Sequence, residues 1–179
     1  MSASPLAHEP RPCADLLLRD VHALDPRARL DSRLDVRVRG GEVVELADAQ
    51  TLSPDAHEEL IEGHGWLLAP AFFDPHVHLR TPGQEHKEDL DTGTRAAAAG
   101  GYGGMLAMPN TDPVIDSAPL LRSLRDAATS QARVPVGFLA AITRGLEGEQ
   151  LTEMAELRET GAVGFTDDGR PVESAGLLR

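Results

Sequence analysis

The chain has 179 residues, 41% of them hydrophobic and 26% charged, and 17 basic against 29 acidic residues give a net charge of −12. This balance suits one globular domain, or a small domain with part of a larger one, and excludes wholesale disorder. A pI near 4.9 argues against nucleic acid or an anionic membrane as the main partner, and a single cysteine, Cys13, excludes an internal disulfide and a cysteine-cluster zinc site.

No stretch approaches the ~20 apolar residues that span a bilayer. The N-terminus carries Glu9 and Arg11 among prolines and has no apolar signal region. A soluble, cytoplasmic protein is expected.

Residues 1–13 hold Pro5, Pro10 and Pro12 with no periodicity, the pattern of a disordered tail. From Ala14 to about Leu68 the chain is rich in short β runs: Leu16–Leu18, Leu34–Val38 and Val43–Leu46. Arg39-Gly40-Gly41-Glu42 reads as a hairpin turn. Asp35, Arg37 and Arg39 alternate with Leu34, Val36 and Val38, so this strand has one wet and one dry face. A small antiparallel β unit is predicted over 14–68.

Strands and helices then alternate. The apolar run Trp66–Phe73 fits a buried strand, and Lys87–Ala99 a helix closed by Gly100-Gly101. Gly104–Met108 is a second strand. Ser117–Ala128 is a second helix, with Leu120, Leu121, Leu124 and Ala128 on one side. Val134–Ala141, Gln150–Glu159 and Ala162–Phe165 follow as strand, helix and strand, and Ser174–Arg179 opens a fourth helix. Strands apolar on both faces, alternating with helices, predict a parallel sheet covered by helices. Four βα units are half of a (β/α)8 barrel. An open half-barrel would leave unfinished edge strands, so residues 69–179 are expected to be the N-terminal half of a barrel in a longer protein.

Asp74-Pro75-His76-Val77-His78-Leu79-Arg80 follows the first barrel strand directly. Side chains two apart on a strand share a face, roughly 7 Å apart along it. Two such imidazoles can converge on one metal ion, and zinc suits them. The C-terminal strand ends of a βα barrel form its active face. A His pair near a turn is also a common surface feature, but placement after a buried strand favours the metal. At the end of the fourth strand stands Thr166-Asp167-Asp168-Gly169. Either carboxylate could bridge a metal, although Asp-Asp-Gly is equally a turn signal. Met108-Pro109-Asn110-Thr111 ends the second strand, where an Asn amide can hold a substrate carboxylate or amide, or mark a turn. His8, His22, His57, His64 and His86 have no such setting and are expected to be structural or surface residues.

The stretch from Asp74 to Asp89 resembles the signature of dihydroorotases, in the cyclic amidohydrolase superfamily. Met108-Pro109-Asn110-Thr111 and Phe165-Thr166-Asp167-Asp168-Gly169-Arg170-Pro171-Val172 are similar to two further blocks of that family, in the same order. The resemblance implies a (β/α)8 metal-dependent hydrolase barrel with a small β-sandwich built from both chain ends, of which 14–68 is the first portion. It implies zinc-dependent interconversion of N-carbamoyl-L-aspartate and L-dihydroorotate in pyrimidine biosynthesis, with one or two Zn2+ per complete subunit. His76, His78 and Asp168 would be metal ligands; Arg80 and Asn110 would bind substrate. The general base and two further histidine ligands would come from later strands, past Arg179, so the isolated chain is expected to be inactive. A homodimer, or a complex with aspartate transcarbamoylase, is the implied assembly.

Two alternatives compete. Hydantoinases, dihydropyrimidinases and allantoinases share the superfamily, but usually place a carbamylated lysine where Asp168 lies, and Lys87 is the only lysine here. A non-catalytic dihydroorotase-like partner of aspartate transcarbamoylase would typically have lost metal ligands, whereas His76, His78 and Asp168 are present.

Overall fold

A computed structural model describes residues 6–9 and 13–177. The chain divides into two units, Pro10–Pro70 and Met1–Glu9 with Ala71–Arg179.

In the first unit, period-two patterning produces β1 (Leu16–Asp25), β2 (Leu30–Arg39) and β3 (Glu42–Asp48), with β4 (Glu59–Glu62) and β5 (Leu67–Leu68) after them. The sheet runs β3-β2-β1-β4, with β5 also beside β1. The expected hairpin turn forms at Gly40 and Gly41, whose φ values of 57° and 84° suit a tight primed turn. The antiparallel expectation holds for β1–β2 and β2–β3 only, because β4 and β5 run parallel to β1. Residues 26–58, which include β2 and β3, lie between β1 and β4 and are ample for the crossover that a parallel pair requires.

The wet face of β2 also needs correction. Asp35 is buried, because the segment after β3 folds over it. Its carboxylate accepts backbone N–H bonds from Gln50, Thr51 and Leu52, each at 2.9 Å, and from Asp20 at 2.8 Å. Burial pushes this carboxyl up, but the four N–H donors outweigh it and hold it below its ordinary value.

In the second unit, β6 (Phe72–Val77), β7 (Tyr102–Ala107), β8 (Val136–Ala140) and β9 (Gly164–Phe165) form a parallel sheet in chain order. Helices α1 (Leu90–Ala99), α2 (Ala118–Gln131) and α3 (Met154–Thr160) connect them, giving the expected half-barrel. Phe138, Leu121, Leu157, Val136, Leu90 and Ile115 fill its core, and Leu121, Leu124 and Ala128 are the buried face of α2. The first helix starts at Leu90 rather than Lys87. Asp89 caps it, accepting from Thr92 N–H at 2.8 Å while its own N–H donates to Thr92 Oγ1 at 3.2 Å. No helix is long and apolar enough to cross a membrane among the described residues.

Three further expectations change. The run Trp66–Phe73 is not one strand: Leu67–Leu68 joins β1, and the chain passes Pro70 before β6 starts at Phe72. Proline lacks the N–H to continue a ladder. Nor is β6 buried on both faces, since Phe72 and Phe73 are 63% and 50% exposed at a sheet edge. The N-terminal tail is partly built into the fold. Ala7 is buried and exchanges backbone hydrogen bonds of 2.8 and 3.1 Å with Val136. Gly137 leaves room for this, because a Cβ there would stand 2.9 Å from the Leu6 side chain. Of the expected tail, residues 1–5 and 10–12 lie outside the described residues. The helix expected from Ser174 is a turn over 175–177, and residues 178–179 lie outside the described residues.

Candidate metal centre

β6 delivers His76 within the strand and His78 just past its end, so both rings face the same way. Their ring centroids lie 5.2 Å apart, edge to face at 70°. Asp74 steadies the strand end by accepting the His76 N–H at 3.1 Å. Asp168 comes from the turn after β9, with φ of 31° at Asp168 and 79° at Gly169. The Gly169 value suits a residue without a Cβ.

The three side chains meet. His76 Nε2 lies 3.2 Å from Asp168 Oδ1, and His78 Nε2 lies 3.7 Å from Asp168 Oδ2. One ligand atom from each of the three falls within 4.8 Å of the others. Two ligands held at ~2.0–2.2 Å by a tetrahedral zinc stand ~3.3 Å apart, so the spacing fits such an ion. Nitrogen and carboxylate oxygen donors fit it chemically as well. His76 is 57% exposed and His78 28%, leaving one side of the cluster open.

Asn110, past the end of β7, joins the same cluster. Its amide nitrogen donates to Asp168 Oδ2 at 2.6 Å, and its carbonyl oxygen lies 2.9 Å from His78 Nδ1. The loop carrying it is fixed. Pro109 O accepts from Ile115 N–H at 3.1 Å, and Asp112 N–H donates to Pro82 O at 3.0 Å.

The two adjacent aspartates have separate surroundings. Asp167 is buried, and its Oδ1 accepts from the N–H groups of Ile142 and Thr143 at 2.8 and 3.0 Å, while Oδ2 accepts from Thr143 Oγ1 at 2.5 Å. Asp167 therefore ties the turn to the end of β8 and Asp168 projects toward the histidines. Thr143 carried no sequence signal: it follows the β8 strand without any motif, and only the fold brings it to Asp167.

Arg80 is half-buried with φ of 58°. Among the described residues no carboxylate pairs with its guanidinium. Its carbonyl accepts from Gln84 N–H at 3.0 Å. Within that turn, Gly83 has φ of 90°, and a Cβ on it would lie 1.9 Å from Asp112 O. The turns bearing Arg80 and Asn110 are thus packed backbone to backbone. Lys87 is exposed, with Nζ 2.8 Å from Gln84 Oε1.

Among solved structures, the L-hydantoinase (dihydropyrimidinase) from Arthrobacter aurescens superposes with a TM-score of 0.71 at 21% identity, over 93% of this chain and 37% of that one. The chain shares the fold of the corresponding part of that protein, a half-barrel with an N-terminal β unit. A family model described as Dihydro-orotase-like matches residues 65–179. The dihydroorotase of Geobacter sp. (strain M21) is 44% identical over 165 residues, covering 92% of this chain and 38% of that protein. That of Sulfurihydrogenibium sp. (strain YO3AOP1) is 40% identical over 164 residues, with the same shares of 92% and 38%. The chain belongs to the dihydroorotase-like family. It spans about two fifths of the length of these curated relatives, at 38% of each.

Proposed function

We propose that this chain carries the first half of a zinc-dependent dihydroorotase, which interconverts N-carbamoyl-L-aspartate and L-dihydroorotate in pyrimidine biosynthesis. The observation that carries this reading is the convergence of His76, His78 and Asp168 on one point at the strand ends of a barrel. These three would hold the ion. Zinc held there would supply Lewis-acid chemistry, activating water near neutral pH and polarising a carbonyl.

The remaining residues act on the substrate. The Arg80 guanidinium, which no carboxylate pairs among the described residues, can grip a substrate carboxylate bidentately and fix its orientation. Asn110 spends one donor and one lone pair on Asp168 and His78, which leaves one of each for a substrate amide or carboxylate. Among the described residues, the cluster holds no second carboxylate to act as base once Asp168 serves as ligand. Turnover is therefore expected only when the remainder of a relative's chain is supplied. Hydantoin-type substrates are disfavoured by the absence of a lysine at the Asp168 position, since Lys87 is engaged elsewhere. The assembly we propose is a homodimer or a complex with aspartate transcarbamoylase, which co-purification would detect.

The test is a chimera in which this chain replaces the matching 165 residues of the Geobacter enzyme. It is expected to convert dihydroorotate in preference to hydantoin and allantoin. A folded, zinc-loaded chimera that leaves dihydroorotate untouched would overturn the proposal.

A further inference from the structure

We infer, resting on that metal-centre reading, that Asn110 is a positioning residue whose amide sets both the tautomer of His78 and the orientation of the Asp168 carboxylate for a divalent cation. Three groups with different hydrogen-bonding capacities meet here. An ionised carboxylate only accepts. At 2.6 Å from Asp168 Oδ2, the Asn110 atom must therefore be its NH2 group, because a carbonyl oxygen there would set two acceptors against each other. With the nitrogen so fixed, the other end of the amide is the carbonyl oxygen. That oxygen stands 2.9 Å from His78 Nδ1. A carbonyl also only accepts, so Nδ1 carries the hydrogen.

A neutral imidazole has one N–H and one lone pair. His78 then presents its lone pair at Nε2, toward Asp168 Oδ2 at 3.7 Å, beyond hydrogen-bond range. Two lone pairs point into that gap, an arrangement that a cation would satisfy. Without Asn110, the imidazole could place its hydrogen on Nε2 and donate directly to Asp168, closing the gap and consuming the lone pair. The amide thus blocks the competing His–Asp hydrogen bond. Its loop is suited to this work, because Met108 N–H donates to Val77 O at 2.9 Å and the Gly83–Asp112 contact leaves no slack. Partners of this kind around metal-binding histidines typically contribute 10–100-fold in metal affinity.

The experiment uses the 179-residue chain itself. Nitrogen-15 NMR of the metal-free chain at about pH 8, where imidazole is neutral, is expected to report hydrogen on Nδ1 of His78. In Asn110→Ala this preference is expected to be lost, and zinc affinity, read by competition with a chromophoric chelator, to fall ~10–100-fold. A His78 carrying its hydrogen on Nε2 in the unmodified chain overturns the inference and needs no variant to fold. So does a folded Asn110→Ala chain whose zinc affinity stays within about twofold of the unmodified one, and in either case the metal centre itself survives. An unmodified chain that binds no zinc overturns the metal-centre reading and this inference together.

Discussion

Asp167 and Asp168 are neighbours in sequence whose carboxylates work in different places. Asp167 is buried against the N–H groups of Ile142 and Thr143, and Asp168 lies 3.2 Å from His76 Nε2. Substitution should separate the two roles. Asp167→Ala removes three hydrogen bonds from a buried turn and is expected to cost about 2–4 kcal/mol of stability. Asp168→Ala is expected to leave stability nearly unchanged without zinc and to reduce zinc affinity at least 100-fold, as loss of a ligand does more than loss of a ligand's partner. Urea unfolding and chelator competition on both variants check this. The pairing fails if Asp167→Ala loses zinc while keeping full stability.

Zinc should stabilise the folded chain through the His76–His78–Asp168 cluster. A ligand that binds only the native state at 100 times its dissociation constant adds about 2.7 kcal/mol. For a chain of this size that is a rise of roughly 5–10 °C in Tm. Thermal unfolding with and without zinc is the measurement, with His76→Ala/His78→Ala as the comparison. An equal rise in the double variant would locate the zinc elsewhere.

The first unit should show acid sensitivity centred on Asp20. A bulge in β1 turns this residue inward, with φ of 61°. Gln50, Arg33 and His64 all bond Oδ2, and hold the carboxyl at about 2, below its usual 3.8. A carboxyl with a lower pKa folded than unfolded takes up its proton more readily in the unfolded chain, so protonation favours unfolding. The Asp20 contribution is complete above 3.8 and is lost as pH falls through about 2. Asp35, also held low, adds to the slope in the same direction. Circular dichroism across this range should show Asp20→Asn less stable than the parent at neutral pH and less responsive to acid. Parallel curves for the two chains would remove Asp20 from the account.

What could be seen in the sequence follows from which signals are local. The half-barrel was legible because apolar strands alternate with helices whose faces are spaced three and four apart, as at Leu121, Leu124 and Ala128. His76 and His78 were legible as a pair because two residues along a strand share a face. The pattern of residues left Asp167 and Asp168 equivalent, and only the family resemblance pointed to Asp168; the physical reason lies with Thr143, which the fold alone brings to the turn. Strand direction was equally hidden: β4 and β5 are too short to carry a pattern, and nothing local says that they lie parallel to β1. The burial of Asp35 escaped for the same reason, because its donors at Gln50, Thr51 and Leu52 sit in a segment with no pattern of its own.

Gly83 offers a way to disturb the site without touching a candidate ligand. Its φ of 90° lies where an L side chain is strained, and an added Cβ would stand 1.9 Å from Asp112 O and 2.9 Å from Asp112 Cβ. The obstructing atom is backbone, so relief requires the turns bearing Arg80 and Asn110 to move apart. Gly83→Ala is expected to cost at least ~2 kcal/mol, from the backbone conformation and the clash together. Separation of the turns should also shift Asn110 relative to His78 and Asp168, so zinc affinity is expected to fall with stability. A neutral partner is Gly40→Ala, whose Cβ would meet nothing within 4 Å and whose φ of 57° carries the backbone strain alone. Unfolding and zinc competition on both variants separate the two contributions: Gly40→Ala should lose stability and keep its zinc. If Gly83→Ala also kept full zinc affinity, the contact between the two turns would be dispensable for the geometry of the cluster.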